Sequence, residues 1–244
     1  KYLVADGRYD YIETGSLISI QENVESITIP SEERKMKMFP VDFEEFMSYM
    51  DEELLLEYIK EHLKEKKPMD LKFHQKAMHL FKKNSRDFAA ADIEKRDIIS
   101  LYRDDIKKSA KRYNSRVSAI FENIPAYLST HEKRIILSEI ESNATFAKYD
   151  DPLFWLDDSM ICNLCYKCND PNVGFALNKN ESYVKCYMGD TGLLVSLAFN
   201  ENEIMEQQLY KQIMDERLSL NQGMIYENMI SQMIVAMGKK LYFY

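Results

Sequence analysis

Residues 153–199, LFWLDDSMICNLCYKCNDPNVGFALNKNESYVKCYMGDTGLLVSLAF, decide the fold. Leu153, Leu156 and Met160 stand at i, i+3 and i+7, the spacing of one helix face. From Cys162 the period drops to two, with Cys162, Leu164, Tyr166 and Cys168 on one side and Asn163 and Lys167 on the other. The polar run Asn169-Asp170-Pro171-Asn172 breaks that strand. A second extended run covers Tyr183 to Met188. Gly189-Asp190-Thr191-Gly192 then turns the chain into a short helix, Leu193 to Phe199. Helix, strand, loop, strand is the order in which a winged helix ends, the two strands forming its wing.

Working outward, Val117, Ile120, Phe121 and Ile124 repeat the helical spacing and Pro125 follows them. A small helix is expected over Ser138–Ala147. With Pro152–Met160 this gives three helices and a two-stranded wing between Ser115 and Met188, packed on Trp155, Phe121, Leu156 and Ile161. Upstream, Asp97–Lys111 places Ile99, Tyr102 and Ile106 on one stripe, and Leu71–Phe81 is a shorter helix. Asp51–Lys67 forms a charged helix around Leu54, Leu55, Tyr58, Ile59 and Leu63, closed by Pro68. Asp42–Met50 turns Phe43, Phe46 and Met50 to one side, and its acidic first turn suits the positive end of a helix. Ahead of Pro40, Glu25–Met38 reads as a strand pair and Tyr9–Ile20 as a buried strand ending in Thr14-Gly15-Ser16. Downstream, Gly223–Met237 is a helix whose apolar residues Ile230, Met233, Ile234 and Met237 form its expected buried stripe. The fold class is therefore mainly α with small β elements, α+β.

Composition bounds the function. A chain of 244 residues with 45% hydrophobic content supports a substantial core. No apolar run approaches the roughly 18 residues of a membrane span, and no secretory pattern opens the chain. A net charge of −8 repels phosphate backbones, so nucleic-acid contact requires a local basic patch. The 4 cysteines fit a reducing cytoplasm better than a disulfide scaffold. The chain starts at Lys1 and ends on an apolar run, Leu241 to Tyr244, and both ends read as cut.

Three segments, WLDDSMI, VKCYMGDTGLL and GMIYENMI, resemble the C-terminal half of a group of prokaryotic ATP-binding proteins. Those proteins join an AAA-type P-loop ATPase core to a C-terminal domain of unknown function. The resemblance extends upstream through YIETGSLISI, FPVDFEEF and IFENIPAYLS, so it spans nearly the whole chain. It implies a remnant of the ATPase sheet over 1–50, a helical linker or lid over 51–114, a winged helix over 115–200 and the start of a restriction-nuclease-like domain over 201–244. It also implies ATP and Mg²⁺ as cofactors of the parent protein. Thr14 and Ser16 would then be the polar groups of a sensor strand beside the γ-phosphate; the residues alone read as a strand-to-loop turn. No GxxxxGK[ST] loop occurs anywhere in the 244 residues, and no strand ending in paired acids precedes Tyr9. This chain alone is therefore expected to bind no cofactor and to hydrolyse no ATP. The family's glycine-rich segment is also missing after Phe81-Lys82-Lys83-Asn84-Ser85.

The remaining candidates are weighed residue by residue. Cys162, Cys165 and Cys168, with the distant Cys186, have iron–sulfur-like spacing, but no second CxxC pair exists and their alternation fits a half-buried strand, so packing is the expected role. His62, His74, His79 and His131 share no metal or triad spacing. Glu227 lies on the apolar side of its helix, where a carboxylate requires a partner. The resemblance makes it a candidate nuclease-like helix carboxylate, while the residues favour a hydrogen bond to the backbone or near Tyr226 and Asn228. Lys107, Lys108, Lys111, Arg112 and Arg116 are possible phosphate contacts for a DNA-binding winged helix. Against that, Asp150, Asp151, Asp157 and Asp158 surround the presumed recognition helix with negative charge. A protein partner or self-association is the expected use.

Overall fold

The computed structural model describes residue 12 and residues 36–82, 88–170, 172, 174–200 and 222–244. Among them the protein is mainly helical with one three-stranded sheet, the α+β class expected. The sensor-strand residues Thr14 and Ser16 lie outside the described residues. Most of the expected Glu25–Met38 strand pair does too, and its described end is not a strand. Residues 36–41 are irregular, with Met36 and Met38 exposed.

Three helices form a small first cluster. Helix α1 is Phe43–Tyr49, and Asp42 caps it by accepting the Glu45 amide at 2.9 Å while Glu45 accepts the Asp42 amide at 3.1 Å. This reciprocal cap satisfies two backbone donors that the helix itself leaves orphaned. Helix α2 is Glu53–Glu65 and α3 is Leu71–Lys82. Their shared core is Met47, Leu55, Leu56 and Ala77, with Phe43 and Ile59 packed on it. Leu54 and Leu63, expected on the buried stripe of α2, point to solvent. The stripe is rotated because Leu55 and Leu56 together define the inner face.

The main core belongs to the second half. Helix α4, Phe88–Ser109, buries Ile99 and Ile106, and a 3₁₀ turn, Lys111–Tyr113, leads into α5, Asn114–Ser129. Pro125 sits inside α5 instead of ending it. Proline removes one backbone donor, but Tyr127 and Leu128 continue the buried stripe past it and outweigh that loss. The small helix expected over Ser138–Ala147 is a single turn, α6, Leu137–Ile140. Glu141 is extended, and the Ala144 amide donates back to the Glu141 carbonyl at 2.9 Å. Ser142 and Asn143 favour such a turn over a helix interior. The next helix, α7, therefore starts early and covers Phe146–Asp158, with Pro152 inside it and Tyr149, Leu153, Trp155 and Leu156 buried.

Strands β1, Cys162–Cys168, and β2, Lys179–Met188, pair antiparallel as expected, Cys162 opposite Met188, Leu164 opposite Cys186 and Tyr166 opposite Val184. A shift follows, so that Lys167 faces Asn180. On the other side of β2, the Ile135 amide donates to the Val184 carbonyl at 3.0 Å. Strand β3, Leu241–Phe243, runs parallel to β1, giving the order β2-β1-β3. Cys165 is buried as well as Cys162 and Leu164, so β1 is covered on both faces. Helix α7 packs on one, and α9, Gln222–Ala236, on the other beside Tyr187.

Helix α8, Thr191–Ala198, starts on Asp190, which accepts the Leu193 amide at 2.9 Å. Gly189 precedes it because a Cβ there would stand 2.5 Å from the Met160 carbonyl oxygen. A buried network locks α8 to α4. Asp92, fully buried, accepts from Arg96 at 2.7 Å and from Ser196 at 2.8 Å. Arg96 also donates to the Phe199 and Asn200 carbonyls at 3.2 Å, satisfying the orphan end of the helix. Sequence reading missed this pair, because Asp92 and Arg96 look like an ordinary solvated i, i+4 pair.

Candidate functional site

Two surfaces gather the residues of interest. The first is the outward face of α7. Its inward residues are apolar, so the helical period leaves Lys148, Asp150, Asp151, Phe154 and Asp157 outside. Phe154 is 54% exposed, a large apolar side chain set among carboxylates. Tyr113 donates its hydroxyl to Asp151 at 2.5 Å, and Arg112 reaches that same hydroxyl. Asp157 accepts the Leu164 amide at 3.0 Å, which ties α7 to β1. Packing around Asp157 raises its carboxyl pKa, although the Leu164 amide opposes the shift.

Of the basic residues singled out as phosphate contacts, Lys107, Arg112 and Arg116 have acidic or aromatic partners. Lys107 pairs with Asp104 at 3.6 Å. Arg112 stacks over the Tyr113 ring, and Arg116 lies 5.6 Å from the centre of the Tyr149 ring and 3.7 Å from Glu141. Lys108 and Lys111 are exposed at the end of α4 and in the turn after it.

The second surface surrounds Glu227, on α9. Its carboxylate accepts from Lys133 at 2.5 Å and from the Tyr187 hydroxyl at 2.9 Å, and Lys185 lies 3.6 Å away. Burial alone would raise this carboxyl, but the bonds from Lys133 and Tyr187 and the charge of Lys185 outweigh it and hold the pKa below the ordinary value. Beneath it, burial pushes the Cys165 thiol up to about 11 and the Tyr187 phenol well above its usual range. A thiol so raised is protonated and unreactive at neutral pH. Glu227 thus has the partner that its position demands, but from across the fold and not from Tyr226, Asn228 or the backbone.

The buried face of α9 differs from the stripe expected. Its fully buried residues are Met224, Asn228 and Ser231; of the expected stripe Ile234 packs against the core, while Ile230 and Met237 are more than half exposed. Asn228 accepts the Met188 amide at 2.7 Å and donates to the Met188 carbonyl at 3.1 Å and the Thr191 hydroxyl at 2.9 Å. Gln232 accepts the Thr191 amide at 3.0 Å and its hydroxyl at 3.1 Å. A polar face can lie inward where its groups meet complementary ones, as Asn228 and Gln232 do, while the buried Ser231 hydroxyl finds no hydrogen-bond partner among the described residues.

The four cysteines are free and buried, and among the described residues no group of three or more His, Cys, Asp and Glu is placed to hold a metal. Among those residues, too, no helix is long and apolar enough to cross a membrane.

The architecture is thus a helical bundle closed by a hairpin and a parallel edge strand. The family profile described as Domain of unknown function (DUF8612) matches residues 77–204, from within α3 to just beyond α8, and the chain belongs to that family. The match takes in α7 and the hairpin, and stops short of Glu227. No curated protein and no solved structure matches the chain.

Proposed function

We propose that this chain is the part of an AAA-type P-loop ATPase that follows its phosphate-binding strands, and that its second half is a winged-helix module for protein contact. The parent would bind ATP and Mg²⁺ in the cytoplasm; this chain carries no GxxxxGK[ST] loop and turns over no ATP alone. Six family-like segments in order support the first half of this reading. Supporting the module is the order α5, Ile135 paired to β2, α6, α7 and the β1–β2 hairpin.

One observation carries the choice of protein over duplex DNA. The face of α7 that a DNA reader would lay in the major groove presents Asp150, Asp151 and Asp157 around Phe154. Carboxylates there repel the phosphate backbone. An exposed aromatic ringed by charge is instead the anatomy of a protein-docking anchor. A photo-crosslinking amino acid at Phe154, activated in cells, is expected to give protein adducts that Asp150→Lys abolishes. Adducts to nucleic acid would reject the choice. So would DNA binding that falls steeply with salt and disappears when Lys107, Lys108 and Lys111 are replaced together.

A further inference from the structure

Helix α9 packs Met224, Ile225, Ile234 and Val235 on the core and leaves a second apolar row on its outer side. At 3.6 residues per turn, Tyr226, Ile230, Met233 and Met237 recur at i, i+4, i+7 and i+11 and form one straight row. Tyr226 is 37% exposed, Ile230 52% and Met237 64%, with Met233 partly so. The opposite face, Met224, Asn228 and Ser231, is buried. The helix cannot turn its apolar row inward without breaking three polar anchors: Asn228 on Met188, Gln232 on Thr191, and Glu227 on Lys133 and Tyr187. Ile230 and Met237 keep more than half of their surface open, and Tyr226 and Met233 keep a smaller share.

Charge decides what fits it. In a chain of which 30% of residues are charged, the sequence of α9, QGMIYENMISQMIVA, contains Glu227 alone, and Glu227 is neutralised by lysines to the side of the row. The side chains of the row therefore carry no charge, and the nearest exposed charges along the chain are Lys239 and Lys240 just past its end. A net charge of −8 opposes contact between two copies over most of the molecule. That repulsion is weakest where each copy presents this uncharged row. A two-fold interface brings the same patch of both copies together, and a row without charge is complementary to itself.

We infer that the α9 row is the seat of a two-fold self-association, α9 packing against α9 of a second copy with Ile230 near the axis. The inference concerns a different face from α7 and stands or falls apart from the docking role given to Phe154. A helix of 15 residues is about 22 Å long. One helix pair of that length falls below the roughly 1,200 Å² of standard interfaces, so the dimer is weak and concentration-dependent.

Sedimentation velocity of the purified chain from about 1 to 100 µM, the range of weak encounters, tests it. The chain is expected to shift from monomer to dimer over that range. Ile230→Glu with Met233→Glu is expected to remain monomeric throughout, with Trp155 emission unchanged as the control for folding. Ile230→Cys is expected to form a disulfide-linked dimer under mild oxidation, since the natural cysteines are buried. A wild-type chain that stays monomeric, a dimer that survives in the double variant, or an Ile230→Cys chain that does not cross-link would each overturn the inference.

Discussion

Replacing Asn228 by alanine tests the claim that polar anchors, not apolar packing, set the orientation of α9. Asn228 is fully buried, and its amide closes both the N–H and the C=O of Met188, itself fully buried, at 2.7 and 3.1 Å. Alanine leaves two backbone groups without partners in a dry site. Each orphaned group costs about 1–3 kcal/mol, so the sum is about 2–6 kcal/mol before any relaxation. Water entering beside Thr191 would recover part of that, which makes about 3 kcal/mol the working value. Two assays read it. Urea unfolding followed by Trp155 emission should show a lower midpoint with an unchanged slope. Hydrogen exchange at the Met188 amide should quicken by about 100-fold, the equivalent of that free energy at 1.4 kcal/mol per decade. A loss below about 1 kcal/mol, with Met188 protection intact, would show that α9 is held by its apolar contacts and refute the reasoning.

Trp155→Ala should cost about 3–5 kcal/mol, because the side chain is only 3% exposed and its removal opens a cavity in the main core; calorimetry checks it. Glu227 supplies a pH dependence. Its folded pKa lies below its unfolded value of about 4.3. Its contribution is therefore present above that pH and is lost as pH falls through the folded pKa. With its side chain 39% exposed the effect is screened and small. Glu227→Gln should flatten the acid limb of urea midpoints measured below about pH 4.5 and leave the order of stabilities near pH 7 to the lost ion pair.

What was legible followed from local patterns. The change from period 3.6 to period two at Cys162 located β1. The break at Asn169–Asn172 located the hairpin loop, and Gly189-Asp190 located the start of α8. All three depend on neighbours within a few residues. Boundaries set by competition were harder to read. Pro125 looks like a terminator, yet Tyr127 and Leu128 have enough core to fill that α5 passes through it. Ser138–Ala147 looks helical until the polar pair Ser142-Asn143 breaks it after one turn. Long-range partners left no trace in the spacing. Arg96 meets carbonyls at Phe199 and Asn200, and Lys133 meets Glu227. The separation along the chain in each case is far beyond any periodicity window.

Helix α9 shows why a correct pattern can yield the wrong side. Ile230, Met233, Ile234 and Met237 do share one side of the helix, as their spacing predicts, with Ile234 packed against the core and Ile230 and Met237 exposed. The rule that a helix turns its apolar face to its own core predicts burial for all four. The rule weighs transfer of apolar surface, about 25 cal/mol per Å², against nothing else. Here the competing quantity is the cost of leaving Met188 and Thr191 unpaired at the end of β2 and the start of α8. Asn228 and Gln232 can close those groups only if they face inward. They stand opposite the apolar row, so satisfying the backbone turns the row outward. The period of a helix thus fixes which residues share a face, while the unpaired groups of its neighbours decide which face is buried. The outward row is then the natural place to look for a contact with another molecule, and Ile230→Glu with Met233→Glu is the variant that separates that contact from the fold.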